Sequence, residues 1–170
     1  MDMMTPDLSM FLWNIFILVA FVVPAVFFLL TQYKTLKAIS PANREISPSE
    51  VWFQLIPVFN LYWQFVVVTR IADSLLKEQV LLESQDDSIL GIPDFDAVEA
   101  IGNRPTYKIG ITWCTLFLLD ILVARLQWVS IGHGIIQGLL LLSLMICWII
   151  YWVELVKNKR KILHLRKAVA

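Results

Sequence analysis

Four long apolar segments, separated by polar stretches, constrain this chain more than any other feature of its sequence. They cover residues 10–31, 51–69, 107–128 and 131–153. The first holds 22 residues, and a helix of that length spans ~33 Å, enough to cross the hydrocarbon of a bilayer. Apolar residues form 58% of the 170-residue chain, against ~45–50% in soluble domains. The pattern predicts an all-α fold, an integral membrane helical bundle of four apolar helices, forming one domain over residues 1–170.

The second segment admits two interpretations. Its start is marked by Ser47-Pro48-Ser49-Glu50, a capping box with proline at the first helical position. The stretch "LIPVFNLYWQ" that follows is apolar but contains Pro57, Asn60 and Gln64. Either the segment crosses the bilayer as a kinked helix, giving four spans, or it dips in and returns, giving three spans and one re-entrant helix. Its 19 residues are long enough for a crossing.

The distribution of basic residues bears on the same choice. Cytoplasmic loops of membrane proteins are enriched in lysine and arginine. Four spans with the N-terminus inside place ten basic residues in the cytoplasm and four outside. Three spans with a dipping segment place thirteen inside and one outside. Both topologies put the C-terminus in the cytoplasm, and they differ in the side of the N-terminus.

Two charged regions flank the apolar segments. Residues 71–106 are predicted to form an acidic cytoplasmic helix and loop. Between positions 71 and 99 the sequence has eight acidic residues and a single base, Lys77. Residues 154–170 are predicted to be a basic cytoplasmic tail lying on the membrane surface. Bases beside anionic lipid contribute ~1 kcal/mol each, and this juxtamembrane position favours lipid over nucleic acid as the partner. The bases predicted to contact lipid headgroups are Lys157, Lys159, Arg160, Lys161, Arg166 and Lys167.

Polar residues inside the apolar segments form a candidate intramembrane site. Asp120 lies well inside the third segment, where a charge costs ~2.5–3.5 kcal/mol and needs a partner or a proton. The third and fourth segments are so closely joined that they must form an antiparallel hairpin, which brings Gln137 within reach of Asp120. Asn60 and Gln64 share one face of the second segment and are further possible partners. Three roles are open for these residues: a hydrogen bond that pins helices, a proton or ion relay, and acid–base chemistry.

The remaining motifs are weak. Gly134 and Gly138 are four residues apart, a spacing that favours close helix packing within the bundle or between copies. Cys114 and Cys147 lie in apolar runs and are interpreted as small buried hydrophobic residues. No phosphate-binding, nucleophile or zinc motif is present, so the sequence predicts no catalytic residue, metal or cofactor.

The stretch "ISPANREISPSEVWFQLIPVFNLYWQFVVVTRIADSLLKE" resembles the signature of a group of small bacterial integral membrane proteins of unknown function. "NRPTYKIGI" and "CWIIYWVELV" are similar to that group's third and fourth segments. The resemblance implies a bacterial inner membrane location and carries no catalytic or binding residue. The expected function is that of a non-enzymatic accessory or interaction subunit that binds the lipid bilayer and itself or another membrane protein. The alternative is a small transporter or channel component that uses the Asp, Asn and Gln residues as a polar path.

Overall fold

A computed structural model describes residues 6–90, 104–125 and 131–169, which are almost entirely helical and contain no strand. The all-α fold class is therefore confirmed. The four α-helices are α1 (Pro6–Ala38), α2 (Pro57–Leu90), α3 (Tyr107–Arg125) and α4 (Ile131–Val169). Two 3₁₀-helices, η1 (Pro41–Asn43) and η2 (Pro48–Leu55), lie between α1 and α2.

Three helices are long and apolar enough to cross a membrane: Leu8–Ala38, Tyr107–Arg125 and Gly134–Ala168. Helices α1 and α4 contain 33 and 39 residues, so they are ~50 and ~58 Å long, well beyond the ~30 Å of bilayer hydrocarbon. The predicted basic tail, residues 154–170, is not a separate helix on a surface, because it continues α4 without a break to Val169.

Helix α3 runs antiparallel to α2. Gly110 in α3 lies against Val68 in α2, where an added Cβ would be 2.5 Å from the valine Cγ1. Nearer the start of α3, the Arg104 guanidinium pairs with the Asp73 carboxylate at 3.2 Å. Later residues of α2 therefore lie opposite earlier residues at the start of α3, as in an antiparallel pair.

Helices α1 and α4 run in the same direction. The Trp152 indole of α4 donates a hydrogen bond to the Thr31 hydroxyl of α1 at 2.9 Å. Near the end of α4, the Arg166 guanidinium reaches the Ser40 hydroxyl, two residues after α1 ends, at 3.3 Å. Both helices therefore deliver their C-terminal halves to the same end of the bundle.

An aromatic layer marks the middle of the molecule. The ring of Phe28 lies 5.5–5.9 Å from the rings of Trp113, Trp148, Tyr151 and Trp152, mostly edge to face. Beyond this layer, towards the C-termini of α1 and α4, the helices pack closely. The large apolar side chains of this packed end, each at most 1% exposed, are Leu36, Ile39, Val67, Val68, Ile71, Leu75, Leu155 and Ile162.

On the other side of the aromatic layer the helices expose apolar side chains. This surface, called here the apolar end, combines the N-terminal halves of α1 and α4 with the C-terminal half of α3. Its members, each 57–62% exposed, include Leu8, Phe11, Trp13, Phe16, Leu122, Ile135, Leu139 and Leu142. A continuous apolar surface of this extent is not a feature of proteins that are monomeric in water.

Residues 39–56 reverse the chain between α1 and α2. The Arg44 guanidinium donates to the Lys37 carbonyl of α1 at 3.3 Å, and the Gln54 amide donates to the Gln32 side-chain oxygen at 2.6 Å. As the residue number rises along this segment, its partners move back along α1 towards the aromatic layer. Helix η2 and the start of α2 therefore form a helical hairpin that points towards the apolar end.

The tip of this hairpin is apolar and exposed. The Trp63 indole of α2 donates to the Glu50 carbonyl of η2 at 2.9 Å, and its ring stacks on Phe59 with the centroids 4.9 Å apart. These contacts hold the two arms together. The exposed apolar side chains around the tip, from 39% to 82% accessible, are Phe53, Leu55, Ile56, Val58, Phe59 and Tyr62.

Pro57 explains why residues 51–69 are not the single kinked helix expected for a crossing segment. Proline has no N–H to continue a helix, and it drives the preceding residue out of the helical conformation. Ile56 is accordingly extended, with φ −84° and ψ 111°. Helix η2 ends at Leu55 and α2 starts afresh at Pro57, so proline separates two helices here and does not kink one.

Candidate functional site

A buried carboxylate joins three separate parts of the packed end. Glu78 of α2 has a side chain with no solvent exposure. Its Oε2 accepts hydrogen bonds from the Asn43 amide at 2.7 Å and from the Ser40 backbone N–H at 3.1 Å. Its Oε1 accepts from the Ser40 hydroxyl at 2.8 Å and from the Arg166 guanidinium at 2.5 Å. This Glu78 node ties α2 to the turn after α1 and to the end of α4.

The Glu78 node keeps its carboxylate ionised. Burial alone would raise the pKa of Glu78, but the hydrogen bonds from Asn43, Ser40 and Arg166 stabilise the charged form more strongly. The pKa of Glu78 is therefore lowered below its ordinary value of 4.5. A buried carboxylate with four donors is a structural anchor, since its oxygens are occupied and are not offered to a substrate.

A second acidic residue anchors the same connection on its exposed side. Glu45 pairs with Lys77 and, at 2.9 Å, with Arg70, both on α2. Its backbone N–H also donates to the Ser74 hydroxyl at 2.9 Å. The hydrogen bond and charge of Lys77, with those of Arg70, lower the pKa of Glu45. The chain between α1 and η2 is thus fixed to α2 on both sides.

The sequence carried a signal for the Glu78 node, although residues 71–106 were predicted only as an acidic helix and loop. Ile71, Leu75 and Leu82 are buried apolar residues on one stripe of α2, and Glu78 occupies the position between the last two. A carboxylate on the apolar stripe of a helix must find partners when that stripe is buried. The partners could not be named in advance, because they come from distant segments.

The hydrogen bond expected between Asp120 and Gln137 is present. The Gln137 amide donates to Asp120 Oδ1 at 2.6 Å, joining α3 to α4 within the apolar end. Both side chains are only partly buried. The carboxylate thus has a polar partner on the neighbouring helix, where the surroundings are apolar.

Gln64 forms no hydrogen bond with this pair and lies at a level ~9 Å away along the bundle. Val68 and Gly110 are opposite each other, and from that level Gln64 lies one turn along α2 while Asp120 lies ten residues along α3. At 1.5 Å per residue these offsets are ~6 and ~15 Å. Gln64 is fully buried, and neither its amide nitrogen nor its oxygen has a hydrogen-bond partner among the described residues. The side-chain oxygen of Asn60 is likewise buried and unpaired within the described part of the chain.

Other buried amides lie in the same part of the core as Gln64. Gln32 is held by the Gln54 amide, but its own nitrogen is unpaired among the described residues. It approaches the Tyr151 hydroxyl without a hydrogen bond of good geometry. A polar seam therefore runs through the packed end near the aromatic layer, and it consists of neutral groups.

Neither predicted packing glycine, Gly134 or Gly138, makes a close helix contact with the described part of the chain. A Cβ added at Gly134 or Gly138 would meet nothing within 4 Å among the described residues. The close helix contact is instead at Gly110, where an added Cβ would be 2.5 Å from Val68 and 3.1 Å from Tyr151. A glycine in the middle of "YKIGITW" was the available signal for this approach.

The six bases assigned to lipid headgroups are in different environments. Arg166 binds Glu78, and Lys161 pairs with Glu83 of α2 at 2.7 Å. The others form no ion pair with any residue that the structure describes. They are Lys157, Lys159, Arg160 and Lys167.

Within the described ranges, no three histidine, cysteine or acidic side chains converge as metal ligands. Cys114 is completely buried between helices. No family model, curated protein or solved structure matches the chain.

Proposed function

We propose that this chain is an integral membrane protein of the bacterial inner membrane with three spans and one re-entrant hairpin, and that it serves as a non-enzymatic interaction subunit. Its packed end lies in the cytoplasm. The observation that carries the proposal is the division of one helical bundle into an apolar end, exposed on all sides, and a packed end held by the Glu78 node.

The apolar end supports insertion into lipid. Phe11, Trp13 and Phe16 are each about three-fifths exposed, and leaving that much of such side chains in water forgoes on the order of 1–2 kcal/mol apiece. Lipid removes that cost. The hairpin tip has the same character and points the same way, so it enters the same layer. One side of η2 is buried against the bundle at Val51 and Gln54, while residues 55–59 at the tip are exposed.

Charge supports the orientation. The hairpin returns the chain to the side from which it came, so residues 32–108 and the C-terminus share one side. Thirteen basic residues then lie on that side and Arg125 alone lies on the other. The positive-inside rule assigns the basic side to the cytoplasm.

The packed end supports an interaction role. Helices α2 and α4 continue well beyond the aromatic layer and are joined there by the Gln79–Asn158 hydrogen bond at 2.9 Å and by the Glu83–Lys161 ion pair. This forms a rigid helical projection in water with charged outer faces. Asp120, the one acidic residue deep in the apolar end among the described residues, is already bound to Gln137, which favours a structural role over transport.

Site-specific photocrosslinking in native membranes tests the interaction role. A crosslinking amino acid at Leu81, 43% exposed on the projection, should give one discrete protein adduct. The same probe at Leu142, 59% exposed in the apolar end, is the matched control and should give lipid adducts only. Absence of any protein adduct at Leu81, in a chain that is fully membrane-bound, would contradict an interaction role for the projection.

A further inference from the structure

One face of α4 carries a groove that runs from apolar to basic. A cavity of about 400 Å³ is lined by Ile149, Trp152, Val153, Val156, Lys157 and Arg160. A smaller one of about 200 Å³ continues it past Arg160 and is lined by Leu163, His164 and Lys167. Because these positions recur every three or four residues, they form one continuous stripe along the helix.

The change from apolar to basic occurs at a defined level. Trp152 belongs to the aromatic layer and is tied to Thr31. Lys157 and Arg160 lie five and eight residues further along α4, which is ~7.5 and ~12 Å. The polar headgroup region of a bilayer leaflet is roughly 5–8 Å deep. With the aromatic layer at the edge of the hydrocarbon, Lys157 is level with the lipid phosphates. Arg160 lies about one turn beyond them, and its long side chain leans back towards the N-terminus of α4 and can reach the same level.

The bases in this groove form no ion pair with described residues, whereas the bases of α4 that face α2 are paired with carboxylates. Lys161 and Arg166 are neutralised by Glu83 and Glu78. Lys157 and Arg160 form no ion pair with any residue in the described ranges. The groove thus presents two free cations directly beside its apolar wall, with a third base, Lys167, likewise unpaired among the described residues, further along. The complementary ligand has an anionic head and a hydrocarbon chain.

We propose that this groove binds one anionic phospholipid, with its phosphate between Lys157 and Arg160 and an acyl chain along Ile149, Val153 and Val156. The proposal rests on the membrane insertion proposed above and assigns different roles to four of the six tail bases. Arg166 and Lys161 pair with carboxylates of α2, and Lys157 and Arg160 bind the lipid.

The test measures binding of phosphatidylglycerol, phosphatidylcholine and inorganic phosphate to the purified full chain in detergent, by native mass spectrometry. The double variant K157Q/R160Q should bind phosphatidylglycerol about thirtyfold more weakly, from the worth of two bases beside an anionic headgroup. The control K159Q/K161Q removes the same charge outside the groove and should bind as the unaltered chain does. Phosphatidylcholine should bind weakly to all three proteins.

Three results would overturn the lipid site: equal losses in the two double variants, equal binding of both lipids, or displacement of phosphatidylglycerol by millimolar inorganic phosphate. Membrane fractionation of the same proteins separates this from the wider proposal. A chain that stays in alkali-washed membranes but does not discriminate lipids disproves only the groove. A chain released by the wash disproves membrane insertion itself.

Discussion

The carboxylate of Glu78 and the guanidinium of Arg166 form an ion pair between residues 88 positions apart, and it is completed by Ser40 and Asn43. This contact closes the packed end, because it joins α2, the turn after α1 and the last turns of α4. Polar contacts therefore stabilise the packed end of the bundle in addition to apolar packing.

Replacing Glu78 by alanine should be strongly destabilising. The change leaves the partly buried donors of Ser40 and Asn43 without their acceptor and Arg166 without its counter-ion, and unsatisfied groups of this kind cost about 1–3 kcal/mol. The measurement is the unfolding midpoint of the purified protein in a fixed detergent. Glu83→Ala is the matched control: it breaks the Lys161 pair, whose side chains are 40% and 51% exposed, so it should cost less than ~1 kcal/mol. Equal effects of the two variants would contradict the assignment of Glu78 as the anchor.

The Glu78 node should also make stability depend on acid. Its pKa is lowered in the folded protein, so its contribution is complete above the ordinary glutamate value of 4.5 and is lost as the pH falls through the folded-state pKa. Midpoints measured from pH 7 to pH 3 should fall more steeply for the unaltered chain than for Glu78→Gln. Parallel curves would show that the Glu78 carboxylate gains nothing from folding.

Gly110 should tolerate no larger side chain. A Cβ there would be 2.5 Å from Val68 Cγ1, and valine is stiff about χ1, so the backbones must separate. Gly110→Ala should destabilise by ~1–3 kcal/mol, the usual cost of overpacking. Gly134→Ala is the control, since nothing described lies within 4 Å of its added methyl, and it should leave the unfolding midpoint unchanged or slightly higher. A neutral Gly110→Ala would show that α2 and α3 are further apart than described.

Substitution of Asp120 by asparagine distinguishes the interaction role from the transport alternative. Asn at this position can still accept the hydrogen bond that Gln137 donates to Asp120 at 2.6 Å. Asp120→Asn should therefore keep the unfolding midpoint and the crosslinked adduct at Leu81. Loss of a proton-linked flux in reconstituted vesicles, with folding intact, would instead establish a relay.

Contacts between segments that are joined by a short connection could be predicted from the sequence alone. The Asp120–Gln137 bond could be predicted because so few residues join α3 to α4 that their register follows by counting outward. The start of η2 was also readable, since the Ser47 N–H donates to the Glu50 carboxylate at 3.2 Å as a capping box requires. The full length of α4 could not be predicted, because tertiary packing extends the helix through polar residues.

The long-range contacts and the hairpin could not be predicted from sequence patterns, for different reasons. The partners of Glu78 lie 35, 38 and 88 residues away, and no local period encodes such distances. For the hairpin, the length of the apolar run favoured a crossing while Pro57 favoured a break. Proline decided the outcome, because the extended conformation that it imposes on Ile56 separates two helices that could then fold back on each other.

The topology is tested most directly by labelling single cysteines from the two sides of sealed membrane vesicles. The sites are Lys37 after the first span, Ser84 in α2 and Arg125 at the end of α3, in a chain whose Cys114 and Cys147 are replaced by alanine. A re-entrant hairpin predicts that cysteines at Lys37 and Ser84 react from the cytoplasmic side and that the cysteine at Arg125 reacts from the opposite side. Labelling of Lys37 and Ser84 positions from opposite sides would contradict the hairpin and require a fourth span.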